Sequence, residues 1–221
     1  MMINIKISIA LFLFFSVNFL GQNENAFQIA RLKYNGGGDW YNDPSAEVNL
    51  LKFVSQNTNL KVKAEYKFVD ISSEEIFSYP FLFMTGHGNV VFSKDDATRL
   101  RKYLENGGFL YIDDDYSLDK AIRREMKKVF PENNFVELPF SHHIYNIMYD
   151  FSSGPPKTHK HDENPPQGFG IFLEKRLAVY YTFESNPSDG WADPEVHKDP
   201  PNKREEALRF GTNILLWALS N

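Results

Sequence analysis

The chain has 221 residues, a formal net charge of −5, 42% hydrophobic residues and 24% charged ones, a balance ordinary for a globular domain able to bury a full core. A mildly acidic chain with no Lys/Arg block argues against non-specific nucleic-acid binding. The absence of cysteine excludes a thiol nucleophile, disulfides, thiolate-held metals and a lipid-modified cysteine anchor.

At the N-terminus, Lys6 precedes the apolar run Ile7-Ser8-Ile9-Ala10-Leu11-Phe12-Leu13-Phe14-Phe15, which fades through Ser16 to Leu20. This is signal-peptide size and short for a membrane span. Residues 1–21 are therefore read as a signal peptide and 22–221 as one exported domain, periplasmic or secreted. The alternative is an uncleaved N-terminus that holds the domain to the membrane.

Phe27 to Tyr34 alternates and predicts the first strand, followed by the loop Asn35-Gly36-Gly37-Gly38-Asp39-Trp40-Tyr41-Asn42. Asp43-Pro44 looks like a helix cap with proline at the first helical position, and Val48, Leu51 and Val54 carry helical spacing to about Asn57. Lys61 to Val69 alternates strongly, as a half-exposed strand near a sheet edge would. Ser72-Ser73-Glu74-Glu75 has a capping-box look. Pro80 to Thr85 predicts a buried strand stopped by Gly86-His87-Gly88. Ser93 resembles an N-cap for a helix whose apolar face is Ala97, Leu100, Tyr103 and Leu104.

Phe109-Leu110-Tyr111-Ile112 is apolar without alternation, which suits a strand covered on both faces, and it runs directly into Asp113-Asp114-Asp115. Leu118, Ile122, Met126 and Val129 mark the next helix, closed by Pro131. Phe135 to Leu138 reads as a short strand leading through Ser141-His142-His143. Residues 152–167 read as a mobile loop by composition, with His159-Lys160-His161-Asp162 solvated in it. Ile171–Leu173 and Leu177–Phe183 flank Glu174-Lys175-Arg176 as a hairpin. A second polar loop spans Ser185 to Asn202, and Ala207, Phe210, Ile214 and Leu215 mark a C-terminal helix.

The strand–helix alternation predicts a three-layer, doubly wound α/β fold, its sheet mostly parallel, with helices on both faces and a late β-hairpin. In such folds the working crevice lies outside the carboxyl ends of the strands. The exits expected to meet there carry Asp39 and Trp40, Gly86-His87-Gly88, Asp113-Asp114-Asp115, His142-His143, and Glu184 with Asp189-Gly190-Trp191 beyond it.

His87 can serve as base, ligand or loop brace. One of the three aspartates is expected to cap the following helix or pair with Arg123, and another to bind a hard cation or orient water. Adjacent residues on an extended chain point to opposite sides, so at most two of the three share one side. Trp40 and Trp191 beside carboxylates suit a sugar, and equally suit loop packing. No P-loop, dinucleotide fingerprint or hydrolase signature is present, so no nucleotide is expected. No cofactor is predicted, though a divalent metal is compatible with the carboxylates.

Arg31-Leu32-Lys33-Tyr34, Gly36-Gly37-Gly38-Asp39-Trp40-Tyr41, Tyr79-Pro80-Phe81 with Thr85-Gly86-His87-Gly88, Gly107-Gly108-Phe109-Leu110, Leu138-Pro139 with His142, and Arg209-Phe210-Gly211-Thr212-Asn213 together resemble the bacterial family catalogued as domain of unknown function 4159. The resemblance runs from Phe27 to the end. It implies an exported or membrane-associated domain with a fold similar to class I glutamine amidotransferases, which is flavodoxin-like, and supplies no activity. Those enzymes place a cysteine where Asp113 to Asp115 stand here, so amidotransferase chemistry is not expected.

Two functions remain in view. The first is a non-catalytic module that binds a small molecule or an envelope protein, with Asp39, Trp40, Gly86, Gly88, Asp113, Asp115, His143 and Trp191 as its binding residues. The second is a hydrolase or transferase, metal-assisted or acting on carbohydrate, with His87, Asp114 and His142 as its working groups.

Overall fold

The computed structural model describes residues 26–159 and 163–220. The chain winds through β1 (Ala30–Lys33), α1 (Ala46–Asn57), β2 (Phe68–Asp70), β3 (Phe81–Met84), α2 (Lys94–Glu105), β4 (Phe109–Asp113), α3 (Asp119–Val129), β5 (Val136–Glu137), β6 (Gln167–Leu173), β7 (Arg176–Phe183), α4 (Pro187–Trp191), α5 (Pro194–His197) and α6 (Pro201–Ser220). The strands form one seven-stranded sheet in the order β2-β1-β3-β4-β7-β6-β5. It is parallel from β2 across to β7, and β6 and β5 add antiparallel pairings at one side.

The pleat of β4 explains the layers. Leu110 and Ile112 join the core formed with Leu100, Ile122 and Met126 of α2 and α3. Phe109 and Tyr111 join the core on the other face, with Leu50 and Val54 of α1 and Phe210 and Ile214 of α6. Alternation in a strand buried on both sides sends successive residues into separate cores. The aromatic richness is spent here: Phe81 stacks on Phe109 at 5.5 Å, Phe83 on Tyr111 at 5.6 Å and Tyr111 on Tyr180 at 6.0 Å between ring centroids.

Several local expectations hold. Ser93 caps α2 through a reciprocal box with Asp96, Ser73 accepts from Glu75 N at a single helical turn, and the late hairpin turns at Glu174-Lys175.

Others are corrected. The helix expected to open at Asp43-Pro44 begins at Ala46, because Asp43 sits at φ 44°, outside helical space. Of the long alternating stretch from Lys61, only Phe68–Asp70 pairs as a strand, apart from a single bridge of Val62 to Phe27. An edge strand has one neighbour, and charged residues on alternate positions leave little to bury. Part of the loop read as mobile is instead docked: Gly154, Pro155 and Pro156 are buried, Ser185 Oγ donates to Pro156 O at 2.6 Å, and Thr158 N donates to Ser185 O at 2.8 Å. The second polar loop contains α4 and α5, and residues 185–192 are buried. The signal-peptide reading falls outside the described residues. Among those described, no helix is long and apolar enough to cross a membrane.

The helix α4 is held by close approach to α6. A Cβ on Gly190 would stand 2.5 Å from Ala207 Cβ and 2.9 Å from Thr158 Cγ2. Gly190→Ala is therefore expected to lower stability by about 1–3 kcal/mol, the usual cost of overpacking. Urea denaturation measures this, and an unchanged midpoint would mean that α4 shifts freely.

Candidate functional site

The carboxyl ends of β1, β3, β4 and β7 supply the site. The three aspartates leaving β4 divide as the pleat requires. Asp114 faces α3, where it accepts from Leu118 N at 2.8 Å and from Tyr181 OH at 3.1 Å; it braces the approach to that helix without capping it, since the N-cap residue is Leu118 and no side chain caps the end. Burial pushes its carboxyl up to about 6. The alternative expected partner, Arg123, instead pairs with Asp119 at 2.6 Å.

Asp113 and Asp115 share the other side. Asp113 is fully buried and accepts from Thr182 Oγ1 at 2.6 Å, Ser188 N at 2.9 Å and Ser188 Oγ at 2.6 Å. Burial outweighs these bonds and pushes it up to about 7. Asp115 accepts through its backbone and side chain from Asn186, and through Oδ2 from Asn42.

His87 stands on the exit of β3. Its backbone N donates to Asp39 Oδ1 at 2.5 Å, and its Nδ1 lies 3.0 Å from Asp39 Oδ2 and 3.3 Å from Asp115 Oδ2. Two carboxylates thus hold one ring nitrogen, and the imidazole remains half-exposed. Gly86 is required in this turn: its φ is 141°, and a Cβ there would fall 2.3 Å from Tyr34 OH. Gly88, at φ 83°, donates to Tyr116 O at 3.0 Å and so fastens the β3 exit to the β4 exit.

Beside these groups lies a hollow of about 300 Å³, lined in part by Asp114, Asp115, Tyr116, Asp119, Lys120 and Glu184. His87 is not among the lining residues; it stands behind two of them, 3.3 Å from Asp115 Oδ2 and bridged to Tyr116. The His87 loop and the aspartate turn therefore meet, as the topology required.

Other expected members lie elsewhere. Trp191 is buried against Phe83 and Tyr111, and its Nε1 donates to Ala207 O at 2.8 Å; it is a core residue with no face for a sugar. Trp40 packs on Phe68 and Tyr41 beside the sheet.

His142 and His143 do not reach the rim. After β5 the chain turns back, and their rings lie 4.8 and 6.0 Å from that of Trp217, near the end of α6. His142 also meets Phe172, at the hairpin-turn end of the sheet. Burial, reinforced by His143, pushes the His142 imidazole down.

Three residues with no working role assigned from sequence complete the site: Asp189, expected at the rim only as part of Asp189-Gly190-Trp191, His159, expected to be solvated, and His197. Asp189, in α4, is 3% exposed, and among the described residues its Oδ1 has no hydrogen-bond partner. His159 Nδ1 lies 3.9 Å from Asp189 Oδ2, and His197 Nε2 lies 3.8 Å from Asp189 Oδ1 and 2.7 Å from Asp43 Oδ2. Donor atoms of His159, Asp189 and His197 all fall within 4.8 Å of one another, as do those of Asp43, Asp115 and Asp189.

Burial first, then the charges of Asp115, Asp113 and Asp43, pushes Asp189 up to about 10. The hydrogen bond to Asp43 pushes His197 up. The only sequence-level signal was one polar stretch, Asp189 to Asp199, carrying acids and an imidazole near a tryptophan.

Asn49 Nδ2 bonds Trp191 O at 3.0 Å and Asp193 Oδ1 at 2.8 Å, so α1 fixes the segment that presents Asp189 and His197.

A family model described as Domain of unknown function (DUF4159) matches residues 28–219, which spans nearly all of the fold and both halves of this site. A search of curated proteins finds no match.

Proposed function

The chain belongs to the family described as Domain of unknown function (DUF4159), a premise that carries no activity, and we propose that it is an exported binding module of the cell envelope that takes up a small polar molecule at the carboxyl ends of its strands. The hollow beside the β4 exit carries this reading. It mixes carboxylates with the ammonium of Lys120, and Tyr116 and the partly buried Phe183 add aromatic surface. Such a lining suits a hydroxyl-rich ligand, whose groups both donate and accept while its ring carbons rest on the aromatic surface.

Soluble envelope oligosaccharides are the probe. Binding measured by calorimetry is expected to weaken about tenfold in Glu184→Gln and in Lys120→Ala. Equal binding by both variants and the parent would sink this placement of the ligand.

A second reading, hydrolysis, is favoured by one observation. With Nδ1 held by Asp39 and Asp115, the His87 ring is oriented as a general base would be. If His87→Ala abolishes turnover of a bound oligosaccharide, the module is an enzyme. If it only weakens binding, the first reading stands.

A further inference from the structure

We propose that His159, Asp189 and His197 form a binding site for a divalent transition ion of the zinc class, with the carboxylate of Asp43 beside them. This goes beyond the ligand-binding reading and rests on different side chains from those of the hollow.

The argument begins with Asp189. A buried carboxylate oxygen with no hydrogen-bond donor is costly to maintain, and Asp189 Oδ1 is in that position. The two imidazoles that face it stand at 3.8 and 3.9 Å, too far for hydrogen bonds. Among the described residues, no lysine or arginine pairs with the carboxylate of Asp189 or of Asp43. Carboxylate oxygens of Asp43, Asp115 and Asp189 lie within 4.8 Å of one another, so acidic groups crowd this locus.

A shared ion explains the spacing. Zinc bonds of about 2.0–2.2 Å place tetrahedral donors about 3.3 Å apart. Donor atoms already within 4.8 Å reach that spacing by small side-chain rotations. The three donors come from the docked loop before β6, from α4 and from the end of α5. His159 and His197 are partly exposed, at 37% and 23% of their side chains, so an ion has a path in from solvent.

The donor set also selects the ion. Two imidazoles with one carboxylate suit zinc, iron or manganese, whereas calcium and magnesium favour oxygen-only sites. Asp43 at 2.7 Å from His197 Nε2 either cedes that nitrogen to the metal or joins as a fourth donor.

The test uses the purified full chain, stripped with a chelator and titrated calorimetrically with zinc, manganese, magnesium and calcium. One zinc per chain is expected, bound at least about a hundredfold more tightly than magnesium or calcium. Asp189→Asn and His197→Ala should each weaken zinc binding at least about tenfold, while His142→Ala, at the other end of the sheet, should not. Absence of zinc binding, or binding by Asp189→Asn and His197→Ala as tight as the parent's, overturns the proposal.

Should a variant not fold, cobalt(II) on the parent protein decides. Paramagnetic shifts at the imidazoles of His159 and His197 support the site, and shifts confined to His87 or His142 overturn it. A parent protein that binds zinc but no oligosaccharide, or oligosaccharide but no zinc, shows which of the two readings has failed.

Discussion

Replacement of Arg31 by methionine is expected to lower stability by about 3–5 kcal/mol, the cost of stranding one member of a buried ion pair. Arg31 has no solvent exposure, and its guanidinium meets Glu47 in a two-point contact, Nε to Oε1 at 2.5 Å and Nη2 to Oε2 at 2.6 Å. Burial pushes the Glu47 carboxyl up and Arg31 opposes the shift, so without Arg31 the acid must either take a proton or sit charged in an apolar setting.

The guanidinium does more than neutralise. It donates to Trp40 O at 3.3 Å and Asp43 O at 3.2 Å, and to Asn42 O. These carbonyls belong to the loop that carries Asp39 and Asp43. Arg31→Met should therefore also speed amide exchange across residues 39–43 and weaken zinc binding, although Arg31 touches no proposed metal ligand side chain. Arg31→Met combined with Glu47→Leu should recover most of the stability and little of the loop order. A loss under 1 kcal/mol for the single variant in chemical denaturation would refute this account.

The second large effect is a pH dependence set by Asp113. Its carboxyl lies near 7 in the fold against 3.8 ordinarily, so the folded chain holds a proton that the unfolded chain releases. Its contribution to stability is complete below about pH 4 and is lost as the pH rises towards about 7. The loss amounts to about 4 kcal/mol at about 1.4 kcal/mol per pKa unit. Asp114, pushed up to about 6, acts in the same direction.

The groups facing Asp113 are Thr182 on β7, Ser188 on α4, Tyr111 within β4, and the charge of Asp115. Asn imitates the protonated acid, donating to Thr182 and accepting from Ser188. In Asp113→Asn the difference from the parent should therefore grow from near zero at pH 4 to its full size by pH 8, in favour of the variant. Parallel stability curves for the two proteins across that range would exclude the assignment.

The layer order was legible because burial on both faces leaves an unambiguous mark. Phe81-Leu82-Phe83-Met84 and Phe109-Leu110-Tyr111-Ile112 contain no polar residue, and a parallel central strand is the simplest site for such runs. The rule about carboxyl ends then brought His87 and Asp115 together across 28 residues of sequence, and they lie 3.3 Å apart.

The rule failed for His142, because β5 stands at the far side of the sheet and the chain reverses immediately after it. It put Asp189 at the rim, on the exit beyond Glu184, but could not join it to His159 and His197. These depend on how an irregular segment docks, and the contacts that decide this, such as Ser185 to Pro156 or Asn49 to Asp193, leave no periodic trace. Asp43 was read as a cap because Asp-Pro is a common helix entry; its left-handed backbone turns the side chain towards His197 instead.

The sheet is bounded on one side by β2, of three residues, and on the other by β5, of two. Another chain seeking to extend it by backbone pairing would find at most a few amides in register at either border, too few to hold an added strand. Propagation of the sheet from molecule to molecule, into fibres or strand-swapped chains, is thereby blocked at both borders. Partners of this domain are left to engage side chains on its loops and helices.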